Sequence, residues 1–258
     1  SSEKTATLLK LLGRAPYVHS VTELGEQISC SKSGTFKLLA SLVKTGLAAQ
    51  TPEHKYTLGP AVYVLGRTYE DKIGLSKMVK PYLVRLRDMT GENASFSMLI
   101  NGKAILIYRE ESQQLVRVMG NVGQERPLYA GATGKILGAQ MMCARATDMI
   151  GEFVTAITNG LTVEQMLKGT ILSPEGLLNE YAKIREQGYA ISDGELNSET
   201  IGIGAPIYDE SGNVWAAVSI GAPKMRVDAV KMERYIFLIR EIAKEMSEQM
   251  TQGESISE

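Results

Sequence analysis

The 258-residue sequence predicts an α+β fold in two parts, a small helical unit closed by a hairpin and a larger antiparallel domain. Two local signals carry the second part. Ala94 to Ile100 and Lys103 to Tyr108 are extended segments joined by Asn101-Gly102, the two-residue turn whose positive φ angles match the twist of paired strands. Ile203 to Tyr208 and Val214 to Ile220 bracket Asp209, Glu210, Ser211 and Gly212 as a second hairpin. Neighbouring hairpins flanked by helical segments imply an antiparallel sheet, because parallel strands need a crossover between every pair. A composition of 44% hydrophobic and 22% charged residues is that of an ordinary globular chain, which excludes collagen, coiled coil and wholesale disorder.

The helical unit reads in order from the N-terminus. Ala6, Leu8, Leu9 and Leu12 recur at helical spacing and stop at Gly13 and Pro16. Ser20, Val21, Thr22 and Glu23 fit a capping box, in which serine and glutamate side chains satisfy free amides of the first turn; Leu24 and Ile28 then share a face. After the break at Ser29, Cys30 and Ser31, a third helix runs from the Ser31 cap to Thr45 and ends at Gly46. Its inner side carries Thr35, Leu38, Leu39, Leu42 and Val43, and its outer side Ser33, Lys37, Ala40, Ser41 and Lys44. Leu47 to Gln50 and Tyr56 to Leu58 form a small hairpin around a polar turn. Three helices with a tight break between the second and third, then a hairpin, is the order of a winged helix-turn-helix.

Farther along, residues 61 to 72 are expected to be helical as far as Gly74, a hinge or boundary. Lys80-Pro81 with Leu83, Leu86 and Met89 suggests a helix with proline in its first turn. Leu115 to Met119 is expected as a strand, and Gly134 to Ala146 and Glu175 to Gln187 as helices. Val230, Ile236, Ile239, Ile242 and Met246 mark a terminal amphipathic helix, with Thr251 to Glu258 expected as a mobile tail.

Charge and cysteine content narrow the classes further. Residues 1 to 60 hold seven basic against four acidic residues although the whole chain has a net charge of -1, a small imbalance whose position on the helical unit matters more than its size. The longest apolar run, Val214 to Ala222, is interrupted by Ser219 and Gly221, so no membrane span is expected. The N-terminal residues lack the apolar centre of a signal peptide, and Cys30 and Cys143 are too few for a disulfide framework; a cytoplasmic protein is expected.

The residues of the larger part argue against catalytic chemistry there. Both histidines, His19 and His54, precede residue 61, which leaves no histidine for a Ser-His-Asp triad or a histidine metal site downstream. Ala217 to Gly221 resembles a nucleophile elbow lacking its first glycine, but Ser219 has no histidine base. Gly131, Ala132, Thr133, Gly134 and Lys135 suggest a phosphate loop, yet Tyr129 and Ile136 break the pattern. The same small residues either offer backbone amides to an anion or permit close packing of helix on sheet, with even weight on these residues alone. No catalytic residue, metal site or cofactor is expected.

Three stretches together resemble the IclR-type transcription regulators over nearly the whole chain. The first is Ser33 through Gly46 with Tyr56-Thr57-Leu58-Gly59-Pro60; the second is Gly123, Arg126, Pro127, Leu128, Tyr129, Ala130 and Gly134-Lys135; the third is Gly188-Tyr189 with Ala205-Pro206-Ile207, Asp209, Gly212, Ala216-Ala217, Ser219 and Pro223. The resemblance implies a winged helix-turn-helix over residues 1–60, a linker helix over 61–75, a GAF-like effector domain (an antiparallel sheet flanked by helices) over 76–250 and a tail over 251–258. It implies a ligand-responsive regulator, a repressor of a catabolic operon, that binds double-stranded operator DNA as a homodimer or a dimer of dimers. The rival reading is a small-metabolite enzyme with an N-terminal assembly domain.

Candidate DNA contacts are Ser33, Gly34, Phe36, Lys37, Ser41 and Lys44 on the third helix and Lys55 on the wing; Lys37 stands where the family has arginine and Gly34 where it has threonine. Family pocket positions fall on Ala132 and Thr133, on Ser192 or Asp193, on Gly202, where cysteine is frequent, and on Ser219 and Gly221, with Asp193 taken as the polar closure. Arg109, Arg117 and Arg126 are expected at the surface or in ion pairs, so a neutral effector is nearly as well supported as an anion. The effector class implied is an organic acid, aldehyde, lactone or aromatic metabolite.

Overall fold

The computed structural model describes residues 2–139 and 174–252. The chain divides into two compact units, one ending at Gly74 and the other starting at Leu75.

In the first unit, α1 (Ser2–Leu12), α2 (Val21–Gln27) and α3 (Lys32–Lys44) precede a hairpin of β1 (Ala48–Gln50) and β2 (Tyr56–Leu58) and then α4 (Pro60–Ile73). The capping box starts α2: Glu23 N donates to Ser20 Oγ at 3.2 Å and Ser20 N donates to Glu23 Oε2 at 2.7 Å. Ser31 Oγ caps α3 by accepting from Gly34 N at 3.2 Å. Leu8, Leu12, Leu24 and Leu39 are fully buried between the three helices, and burying each side chain contributes about 1.5–3 kcal/mol. Thr35 and Leu42 join them on the inner side of α3, whereas Val43, expected there, is exposed at the edge of that stripe. His19 N and O pair with Tyr56, adding one bridge to the wing. Gly46, at φ 72°, ends α3; a Cβ on Gly59 would overlap the Gly46 carbonyl, so two glycines let wing and α4 start at the same point. α4 has Pro60 in its first turn, ends on left-handed Gly74 and has no buried residue.

The second unit is built on one antiparallel sheet in the order β5-β4-β3-β8-β7-β6. Its strands are β3 (Asn93–Ile100), β4 (Lys103–Glu110), β5 (Glu125–Arg126), β6 (Ala190–Asp193), β7 (Thr200–Tyr208) and β8 (Val214–Pro223). α5 (Leu75–Thr90) and α8 (Ala229–Gln252) pack on one face. The helical residues 132–139, here α6, pack with α7 (Pro174–Gln187) and with Ala104, Ala190 and Ala217 on the other. A Cβ on Gly134 would overlap the Pro127 carbonyl and one on Gly204 would stand 3.3 Å from Ala132, so close helix-to-sheet approach accounts for these two glycines.

Three expectations are corrected. α5 begins at Leu75, not at Lys80, and Pro81 lies inside it; Leu75, Val79, Leu83 and Leu86 are buried at helical spacing, and that burial offsets the ~3 kcal/mol an interior proline costs. Leu115 to Met119 is a loop and not a strand, and the short edge strand beside β4 is β5, which pairs with Ala104 and Ile105. The loop's carbonyls are held by side chains: Asn93 Nδ2 and Arg109 Nη2 donate to Val118 O, and Arg226 Nη1 donates to Val116 O. α8 continues through Gln252, into the expected tail. Residues 140–146 of the expected sixth helix, Cys143 and the tail from residue 253 lie outside the described residues.

Candidate nucleic-acid interface and ligand cavity

On α3, the buried residues Thr35, Leu39 and Leu42 fix which side faces away from the core. Ser33, Phe36, Lys37, Ser41 and Lys44 are exposed on that side, and Lys55 is exposed on the wing. Phe36 is 53% exposed and so lies outside the small core. Gly34 has a different role: its amide serves the Ser31 cap, and a Cβ there would stand 2.8 Å from Cys30 Sγ. A polar, basic helix face beside a lysine-bearing wing suits a major groove and its flanking phosphates.

In the second unit, strand register assembles a cavity of about 460 Å³ on the α6 side of the sheet. One cross-strand row runs Ser192, Gly202, Gly221, Asn93, and the next runs Ala190, Gly204, Ser219, Ser95, Arg109. Alternate residues point to opposite faces, so the floor carries glycine, serine and asparagine while Ala94, Phe96, Val218, Ile220 and Ile203 fill the opposite face. Ala132 and Thr133 line one side from the first turn of α6, where backbone amides lack intrahelical acceptors. Val116, Val118 and Met119 line it from the 111–124 loop.

Of the sequence-derived positions, Ala132, Thr133, Gly202, Ser219 and Gly221 meet in this cavity. Asp193 does not: it is half exposed and pairs with Lys224 at 2.6 Å, while the preceding residue on β6, Ser192, lines the cavity. Arg109, Arg117 and Arg126 also line it; Arg117 is exposed and pairs with Glu111 at 3.2 Å, as expected, whereas Arg109 and Arg126 are half-buried, contrary to the surface placement expected. Lys135 does not line the cavity. Its ammonium is buried, donating to Glu195 Oε1 at 2.6 Å, Ile191 O at 2.6 Å and Glu180 Oε1 at 2.8 Å. Glu195 Oε2 in turn accepts from Gly131 N at 2.7 Å, so the ion cluster fixes the backbone just before Ala132 and Thr133. Nothing near Lys135 signals this cluster, since Glu180 and Glu195 come from distant positions.

Two family models match the two units: the IclR helix-turn-helix domain over residues 1–52, and the bacterial transcriptional regulator IclR C-terminal domain over residues 67–248. The chain belongs to the IclR family. This IclR-family chain is 27% identical over 248 residues to the HTH-type transcriptional regulator KdgR of Escherichia coli K12, covering 96% of the chain and 91% of that relative. It is 26% identical over 231 residues to the acetate operon repressor of Salmonella typhimurium, covering 88% and 81%. Among solved structures, an IclR transcriptional regulator from Silicibacter sp. TM1040 shares the fold with a TM-score of 0.86 at 20% identity, covering 97% of this chain and 96% of that one. An IclR homolog from Microbacterium hydrocarbonoxydans complexed with 4-hydroxybenzoate has a TM-score of 0.80 at 18% identity, covering 98% and 100%. The IclR chain is therefore a DNA-binding transcription regulator and not an enzyme.

Proposed function

We propose that this regulator is a cytoplasmic repressor of a catabolic operon whose operator affinity is altered by a small metabolite held in the second unit. Contacts to DNA come from Ser33, Phe36, Lys37, Ser41 and Lys44 on α3 and from Lys55 on the wing. The metabolite lies on Ser192, Gly202, Ser219 and Gly221 beside Ala132 and Thr133. The observation that carries this reading is the emptied floor: four strands present glycine and small polar side chains to one cavity on a sheet whose opposite face is packed with apolar residues. A relative named for the acetate operon and a neighbour complexed with 4-hydroxybenzoate support a metabolic effector.

One helix-turn-helix reads a half-site, so the working form is a homodimer or a dimer of dimers on an operator of approximate twofold symmetry. α4 supports this, since Tyr63, Val64, Leu65 and Tyr69 are all exposed on a helix with no buried residue. A coupling of ~1–3 kcal/mol between metabolite and DNA would change operator affinity by ~5- to 150-fold.

The test is a gel shift against the DNA upstream of the protein's own gene. Lys37→Ala is expected to weaken operator binding by ~1–3 kcal/mol, and Lys55→Ala to lower its salt dependence. Ser219→Ala and Thr133→Val should weaken the metabolite response and leave operator affinity without metabolite near that of the parent. Unchanged DNA binding in both lysine variants, or a monomer in ultracentrifugation at DNA-binding concentrations, would count against the reading.

A further inference from the structure

The cavity holds positive charge that the described residues do not neutralise. Arg109 enters it from β4, in the same cross-strand row as Ser95 and Ser219, and Arg126 enters from β5. The two guanidinium groups converge at Gly120, where an added Cβ would collide with Arg109 Nη1 and stand 3.5 Å from Arg126 Nη2. Arg109 gives its Nη donors to the carbonyls of Gly120 and Val118, and its buried Nε has no acceptor among the described residues. The Arg126 side chain makes no ion pair or hydrogen bond among the described residues, and its chain neighbour Glu125 pairs with Lys103. Among the described residues, Glu111, which acts on Arg109, is already bound to Arg117, and the Glu199 carboxylate is exposed at the rim. Burial lowers the proton affinity of both arginines; for Arg109, Glu111 opposes this and the charge of Arg126 adds to it.

Like charges brought together away from bulk water are costly unless an anion bridges them, and paired guanidinium groups match a carboxylate or phosphate in charge and in donor geometry. We propose that Arg109 and Arg126 form an anion-binding subsite at the β4–β5 end of the cavity, and that the effector is an acid whose carboxylate or phosphate lies on this pair. The rest of the effector then extends over Ser95 and Ser219 towards Ala132 and Thr133. This rests on the cavity being the effector site, and it removes the parity between neutral and anionic effectors that the sequence alone left standing.

The test is thermal unfolding of the full chain at constant ionic strength, with sodium chloride replaced by inorganic phosphate, by succinate, or supplemented with the neutral analogue succinamide. At tenfold its dissociation constant, phosphate or succinate is expected to raise the midpoint by ~3–5 °C, and succinamide to leave it unchanged. Which anion acts identifies the acid group. Arg126→Gln should abolish the rise without lowering the midpoint measured in chloride, and Arg126→Lys should keep part of it. No rise with either anion, an equal rise with succinamide, or a full rise in Arg126→Gln would overturn the subsite. Failure of the regulator reading is seen separately: a parent protein that ignores its upstream DNA while showing the anion rise refutes that reading alone, whereas operator release by a neutral metabolite in Arg126→Gln refutes the subsite alone.

Discussion

Lys135→Met removes one ammonium and leaves two carboxylates facing an apolar side chain. In the parent, the Lys135 side chain is 2% exposed and that of Glu195 is 5% exposed, so neither charge is solvated by bulk water. Removing one partner of a buried ion pair costs ~3–5 kcal/mol, because the remaining charge keeps its desolvation penalty and loses its compensation. Methionine fills most of the stem volume, so a cavity term adds little. For a unit of this size, each kcal/mol moves the unfolding midpoint by ~2–4 °C, which gives an expected drop of ~6–20 °C in the second unit. The double variant Lys135→Met with Glu195→Gln should regain at least 1 kcal/mol, on the order of the charge-burial term it removes, because the amide oxygen of glutamine can still accept from Gly131 N. Denaturant unfolding followed by tryptophan emission measures this, since the one tryptophan, Trp215, lies on β8 of the same sheet. A loss under ~1 kcal/mol in Lys135→Met, or a double variant no more stable than the single, would refute the reasoning.

Two further outcomes are expected in the first unit. Phe36→Ala should change folding stability by no more than ~0.5 kcal/mol while weakening operator binding, whereas Leu39→Ala, three residues on and fully buried, should cost ~2–5 kcal/mol; denaturant unfolding paired with gel shifts separates the two. The Glu23 carboxyl is held below the usual range by hydrogen bonds from Ser20, backbone first and then side chain. A depressed folded pKa means the stabilisation is present above the unfolded value and is lost as pH falls through the folded one, so Glu23→Gln should differ from the parent near neutrality and converge with it in acid.

The first unit was legible because its signals are local. Ser20 with Glu23, Ser31 with Gly34, and Gly46 each act within one helical turn, and the structure uses each of them in that role. The cavity was legible only in part. Alternation along Asn93-Ala94-Ser95-Phe96 and along Ser219-Ile220-Gly221 separates a small polar face from an apolar one, and that pattern could have marked the floor. What placed Arg109 above it was pairing with Ser95 across a ladder, and what placed Arg126 there was a two-residue edge strand; neither is written in nearby sequence. Charged side chains default to the surface in any reading that lacks partners. Asp193 failed by one residue for the related reason that a strand's period of two sends neighbours to opposite faces: Asp193 turns to Lys224 and Ser192 turns to the cavity.

The bare floor also bears on how such a regulator diverges after gene duplication. A methyl added at Gly221 would meet nothing nearer than Val118 at 3.9 Å, and one added at Gly202 would meet Ala132 Cβ at 3.5 Å, both ordinary contact distances. Single-nucleotide changes that introduce alanine at these two positions can therefore shrink the space open to a metabolite without disturbing the backbone. At Gly134 the same change collides with the Pro127 carbonyl, so that position is closed to drift, and at Gly204 it presses on Ala132, which must give by a few tenths of an ångström. On the proposed reading of the cavity as the metabolite site, new preferences are accessible through Gly202 and Gly221 one mutation at a time, while the wing and α3 go on unchanged.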